Sequence, residues 1–234
     1  MKDYIKMSSR KLLKEWKEFL LFKKIPVTIL KQFSNDNIQL NKILSIVEQY
    51  LKNPKYVSFI EGIYIGTFPE LENRQIQAMF NDGVVYVSNI INDYNNENRI
   101  AKDIIHEIGH SIENYYNLEL YGDTLLEEEF LAKRHKLYNL LKYDGIELPK
   151  SFLYSGEYSE EIDNILYNII GYDKLNLQII GLFLSPYCVT TESEFFANGF
   201  ENYYTEDSSY LKSICPILYN KIKEIDKLIK KEKR

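Results

Sequence analysis

A chain of 234 residues, 45% hydrophobic and 27% charged, is long enough for one sizeable domain or two closely packed lobes and has the composition of a folded globular protein. The net charge of −5 argues against nucleic acid as the main partner, because phosphate binding needs a basic surface. No stretch approaches the roughly 18 apolar residues of a membrane span, charges interrupt residues 12–22 before a signal-peptide core can form, and two cysteines, Cys188 and Cys215, give no disulfide framework.

Over residues 9–24, Leu12, Leu13, Trp16, Phe19 and Leu20 recur at helical spacing opposite Lys11, Lys14, Lys17 and Glu18, which predicts an amphipathic helix broken at Pro26. A second helix is expected after Asn35-Asp36, with Leu40, Ile43, Leu44, Val47 and Leu51 on one face and a stop before Pro54. The pattern then changes. Residues 56–60 and 63–67 are rich in β-formers around Glu61-Gly62 and predict strands. Asp82-Gly83 between residues 77–80 and 84–87 signals a hairpin. Its second strand, Val84, Val85, Tyr86 and Val87 with Ser88, is the candidate edge on which an extended peptide would add as a further strand through backbone hydrogen bonds.

Asn95 or Asn96 caps the next helix, which runs to about Tyr116 behind a stripe of Ile100, Ile104, Ile105, Ile108 and Ile112. It carries His106-Glu107-Ile108-Gly109-His110. Residues i and i+4 share a helix face, so both imidazoles can approach one ion at roughly 2.0–2.1 Å. Glu107 flanks that ion, where it is suited to act as general base on a metal-activated water rather than as a ligand. With only three histidines in the chain, chance is a poor account of this spacing.

Thr124-Leu125-Leu126-Glu127 reads as a capping box opening a helix with Leu131, Leu137, Tyr138 and Leu141 inward, ended at Gly145. His135 lies among Lys133, Arg134 and Lys136 and reads as a surface residue. A helix is expected over residues 159–170, a buried apolar run over 179–184, a helix over 194–204 and a last helix over 211–230. Catalytic zinc takes three protein ligands and leaves one position for water. Glu113 and Tyr116 stand where the pattern H-E-x-x-H-x-x-G-x-x-H needs Gly and His, so the third ligand should be a carboxylate. Glu127, Glu128, Glu129, Glu192, Glu194 and Glu201 qualify by type. Glu194 is the best placed, because Phe195, Phe196 and Phe200 would pack its helix on the core.

His106-Glu107-Ile108-Gly109-His110, followed by Tyr187 and then Glu192-Ser193-Glu194-Phe195-Phe196-Ala197-Asn198-Gly199-Phe200, resembles the zinc metallopeptidase family of the anthrax lethal factor catalytic domain and the Pro-Pro endopeptidases. The likeness covers roughly residue 84 onward. It implies His106, His110 and Glu194 as zinc ligands, Glu107 as base and Tyr187 as the hydroxyl that stabilises the developing oxyanion. Asn198 stands where the family carries Glu, four residues after the ligand, and is the candidate hydrogen-bond partner of a zinc-bound histidine.

The expectation is therefore a single α+β, zincin-like domain over residues 1–234, mostly helical, with a small mixed or antiparallel sheet packed on the active-site helix. Its lobes would cover about 1–118 and 119–234. The expected function is a zinc-dependent endopeptidase with Zn2+ as cofactor and a peptide or protein as substrate, without nucleic acid or stable membrane insertion. The alternative is a module of the same fold that retains zinc without peptidase activity. Secretion or delivery as an effector is implied by the resemblance alone.

Overall fold

The computed structural model describes residues 19–74, 76–92 and 96–232. The fold is α+β with one mixed five-stranded sheet. The chain divides into two compact units, Met1–Ser111 and Ile112–Arg234.

The first unit holds the sheet. Its strands are β1 (Phe19–Leu21), β2 (Ile25–Ile29), β3 (Gly62–Gly66), β4 (Ala78–Asn81) and β5 (Val84–Ser88), in the order β1-β2-β3-β5-β4. Strands β2, β3 and β5 run parallel, while β1 and β4 pair antiparallel at the two edges. All five residues of β5 are buried. On one face Val84 and Tyr86 pack with Phe68 and Leu71 of the segment entering α2 (Pro69–Arg74). On the other face Val85 and Val87 stand beside Ile63 and Ile65 of β3. Burial on both faces cannot by itself select a register. The turn does so: Asp82 (φ 49°) and Gly83 (φ 78°) both adopt positive φ, the two-residue geometry that matches the twist of a hairpin.

Three expectations are corrected here. Residues 9–18 of the first expected helix lie outside the described residues, but its end is β1, and Pro26 sits within β2 opposite Leu20 instead of breaking a helix. Residues 56–59 belong to a 3-10 turn, Pro54–Phe59, because Asn53 accepts the Lys55 N–H at 3.0 Å and Pro54 presets the first turn. Finally, Val84, Val85, Tyr86 and Val87 are not an edge: β5 is paired on both sides, and the edge is β4. The helix α1 (Leu40–Leu51) buries the expected face of Leu40, Ile43, Leu44, Val47 and Leu51. The helix that carries His106, Glu107 and His110 is α3 (Glu97–Tyr115).

The second unit is helical. After the last turn of α3 come α4 (Asn117–Tyr121), α5 (Leu125–Tyr143), α6 (Ser151–Tyr154), α7 (Glu160–Asn164) running into a π-helical turn (Ile165–Ile170), and α8 (Tyr172–Gln178). A 3-10 turn (Tyr187–Val189) leads to α9 (Glu192–Thr205), α10 (Ser208–Ile214) and α11 (Pro216–Lys231). The rings of Phe130, Phe183 and Phe195 form an aromatic centre with centroids 5.4–6.0 Å apart. Two helix boundaries differ from expectation. Thr124 makes no side-chain cap; Asp123 accepts the Leu125 N–H at 3.2 Å instead. The single last helix is two, because Pro216 disfavours helical geometry at Cys215, which sits at φ −131°, ψ 65°.

Gly199 lets α9 and α11 approach closely: a Cβ there would lie 2.5 Å from Cδ2 and 2.9 Å from Cγ of Leu218, itself fully buried. Gly199→Ala gains helix propensity of about 1 kcal/mol, but overpacking typically costs about 1–3 kcal/mol, and Leu218 has no solvent side to retreat to. The variant should unfold at lower temperature, by about 2–4 °C per kcal/mol lost, in a thermal scan of metal-free protein.

Candidate metal centre

The helix α3 is set by its first turn and its stripe. Asn96 Oδ1 accepts the Arg99 N–H at 2.9 Å, one of the two caps expected. Ile100, Ile104, Ile105, Ile108 and Ile112 are buried at 0–1% exposure. Their burial fixes the helix rotation, which leaves His106 and His110 half-buried on a flank with ring centroids 5.0 Å apart and planes at 76°. Glu107 is 8% exposed, and its Oε2 accepts the Phe80 N–H at 2.6 Å.

That bond locates the carboxylate against the sheet. The Ser88 N–H donates to the Gln77 carbonyl, so hydrogen-bonded pairs alternate through Met79↔Tyr86 and Asn81↔Val84 in this register. The backbone groups of Ala78 and Phe80 therefore point away from β5 toward the free edge. Glu107 occupies one of them. The edge beside the Glu107 carboxylate is β4, and the missed signal was in the sequence: Val-Val-Tyr-Val is an unbroken apolar run, the mark of a strand covered on both faces, whereas an edge strand alternates.

On α9, Thr191 Oγ1 accepts the Glu194 N–H at 3.0 Å, which places Glu194 in the first helical turn. The residue before it is anchored as well: Ser193 Oγ donates to Glu113 at 2.7 Å, and the same buried carboxylate accepts the Tyr121 hydroxyl at 2.5 Å. Glu113 follows His106 by seven residues and His110 by three, so it continues the helix face that carries the imidazoles. In the sequence Glu113 serves only to exclude a pattern; a carboxylate at i+7 on the histidine face is the signal that marks it.

The ligand-capable atoms of His106, His110 and Glu194 lie within 4.8 Å of one another, and all three side chains are half-buried. Two imidazoles and a carboxylate suit a divalent zinc ion.

The other expected residues fall as follows. Tyr187 is half-buried and opens the 3-10 turn seven residues before Glu194. Asn198 lies on α9, half-buried, four residues after Glu194. His135 is exposed, with its ring 6.1 Å from that of Tyr154. Glu192 Oε1 is buried without a hydrogen-bond partner; burial first, then the carboxylates of Glu127, Glu113 and Glu157, push this carboxyl up to about 7. Burial and Glu113 likewise raise the Tyr121 phenol.

Thr191→Ala removes the cap of the helix that carries Glu194. A lost cap costs about 0.5–2 kcal/mol, and zinc affinity should fall with it, measured by chelator competition at a temperature where both proteins remain folded.

Neither a protein-family model nor a curated protein matches the sequence. Among the described residues no helix is long and apolar enough to cross a membrane.

Proposed function

We propose that this chain is a zinc-dependent endopeptidase of the zincin type, with His106, His110 and Glu194 as the metal ligands. The observation that carries this reading is the convergence of those three side chains on the helix that also bears Glu107. Zn2+ bound there would lower the pKa of a water toward neutrality and polarise the scissile carbonyl. Glu107 accepts the proton of the attacking water and returns it to the leaving amine. Tyr187 donates its hydroxyl to the oxyanion, a role of about 2.7–4 kcal/mol in comparable sites. An extended peptide would pair with the outward N–H and C=O of Ala78 and the C=O of Phe80 on β4, the Phe80 N–H being held by Glu107. The likeness to the lethal factor and Pro-Pro endopeptidase family supports the same assignment.

One observation favours a second reading, a zinc-retaining module without peptidase activity: Glu107 Oε2 is already engaged by Phe80. Its other oxygen leaves the base role open. A peptide library incubated with zinc-loaded and with chelated protein, and mapped by mass spectrometry, separates the two. Cleavage that disappears on chelation and returns with zinc is expected. Tight zinc binding with no cleaved peptide would reject the peptidase and leave the module.

A further inference from the structure

We infer that Arg134 is the positioning residue that holds Tyr187 in register with Glu194; the inference rests on the peptidase reading above. Arg134, on α5, is fully buried. The rings of Phe130 and Phe152 flank its guanidinium carbon at 4.5 and 4.6 Å. Among the described residues no carboxylate pairs with it. Instead its donors go to backbone carbonyls: Nε and Nη2 to Val189 at 3.0 and 2.7 Å, Nη2 also to Thr190 at 2.5 Å, and Nη1 to Ser155 at 2.6 Å and Phe152 at 3.5 Å. Burial lowers its pKa to about 10, which still leaves it charged at neutral pH.

Burying an unpaired cation is costly, and an apolar residue of similar volume would fill the space between two phenylalanines at lower cost. What an apolar residue cannot do is fix four carbonyls with one rigid planar fork. Two of those carbonyls lie in the six-residue link between Tyr187 and Glu194. Thr190 donates to the Tyr187 carbonyl from both its N–H (3.0 Å) and its Oγ1 (2.8 Å), while Thr191 caps the Glu194 N–H. A continuous chain of bonds therefore runs from Tyr187 through Thr190 to Arg134. Of the remaining two carbonyls, that of Ser155 adjoins Gly156, whose own carbonyl accepts the Glu192 N–H at 2.9 Å. Arg134 thus restrains the link from both sides. Lysine keeps the charge but cannot span these acceptors.

The test compares wild type, Arg134→Lys, Tyr187→Phe and their combination as full chains, with Thr190→Val as a milder variant that deletes only the Oγ1 bond to Tyr187. Folding is checked by circular dichroism, zinc affinity by chelator competition, and kcat and KM on a peptide that the wild type cleaves. For folded Arg134→Lys, kcat should fall about 10-fold or more with KM within about 2-fold, and zinc should bind several-fold more weakly. In the Tyr187→Phe background the further loss of kcat should shrink below about 2-fold, because the group being positioned is gone. Should Arg134→Lys not fold, Thr190→Val carries the same comparison. Wild-type kcat and zinc affinity in the folded variant would overturn the inference, as would losses that multiply in full with Tyr187→Phe. If the wild type binds zinc but cleaves no peptide, the peptidase reading fails by itself, and an unchanged zinc affinity in Arg134→Lys then overturns the positioning role separately.

Discussion

Glu107→Gln should lower kcat of the zinc-loaded protein by about 10²–10⁴-fold, the range expected for loss of a general acid–base group, with zinc content unchanged. The choice of Gln follows from the structure. Glu107 does two things at once: it lies beside His106 and His110 on α3, and it accepts the Phe80 N–H of the edge strand. A carboxamide of the same shape still offers an oxygen to Phe80, so the link between α3 and β4 survives while the basicity is lost. Glu107→Ala removes both, and should cost in addition about 0.5–1.5 kcal/mol of stability for the hydrogen bond, at the low end because an amide on a free edge can turn to water. Activity equal to wild type in Glu107→Gln at equal zinc content would remove Glu107 from the mechanism.

The fold was most legible where a local signal needed no partner to be interpreted. The HExxH helix, its Asn96 cap and its isoleucine stripe are all local, as are the face of α1 and the Asp82-Gly83 turn, and the structure has each of them. What could not be read is set by neighbours distant in sequence. The hairpin pattern places β5 beside β4 but says nothing of its other side, because strand order is a property of the sheet, and β3 claims the other side of β5. Phe19, Leu20 and Leu21 carry helical spacing and form a strand because β2 supplies a pairing partner. Pro216 is a different case: a proline within an expected helix is a local stop signal, and the apolar periodicity running through it masked the break.

The site was legible in the same proportion. His106, Glu107 and His110 come from one helical turn and a half. Glu194 rests on its residue type, on the packing expected of its helix and on the family likeness, and its carboxylate lies within 4.8 Å of ring nitrogens of both imidazoles. Residues that act by holding others left no such trace. Arg134 reads in sequence as one charge among Lys133, His135 and Lys136, and its burial against Phe130 and Phe152 exists only once α5 and α6 have folded together.

Metal binding should be lost one ligand at a time. The wild type should bind one zinc per chain, and zinc at 100 times its dissociation constant should stabilise the fold by about 2.7 kcal/mol, a rise in melting temperature of about 5–10 °C for a chain of this size. His106→Ala and His110→Ala should abolish that rise while leaving the metal-free melting temperature close to wild type, because both imidazoles are half-buried and removing them opens no closed cavity. Glu113→Ala should behave differently. Its carboxylate is buried and holds Ser193 and Tyr121, so the metal-free protein itself should lose about 1–3 kcal/mol. Zinc affinity should fall by about 10–100-fold, as for other residues that support a metal ligand without touching the ion. Comparing scans with and without zinc thus sorts ligands from supports: ligand variants lose only the zinc-dependent rise, and the support variant loses stability in both. A zinc-dependent rise that persists in both histidine variants would place the ion elsewhere and remove the basis of the proposed chemistry.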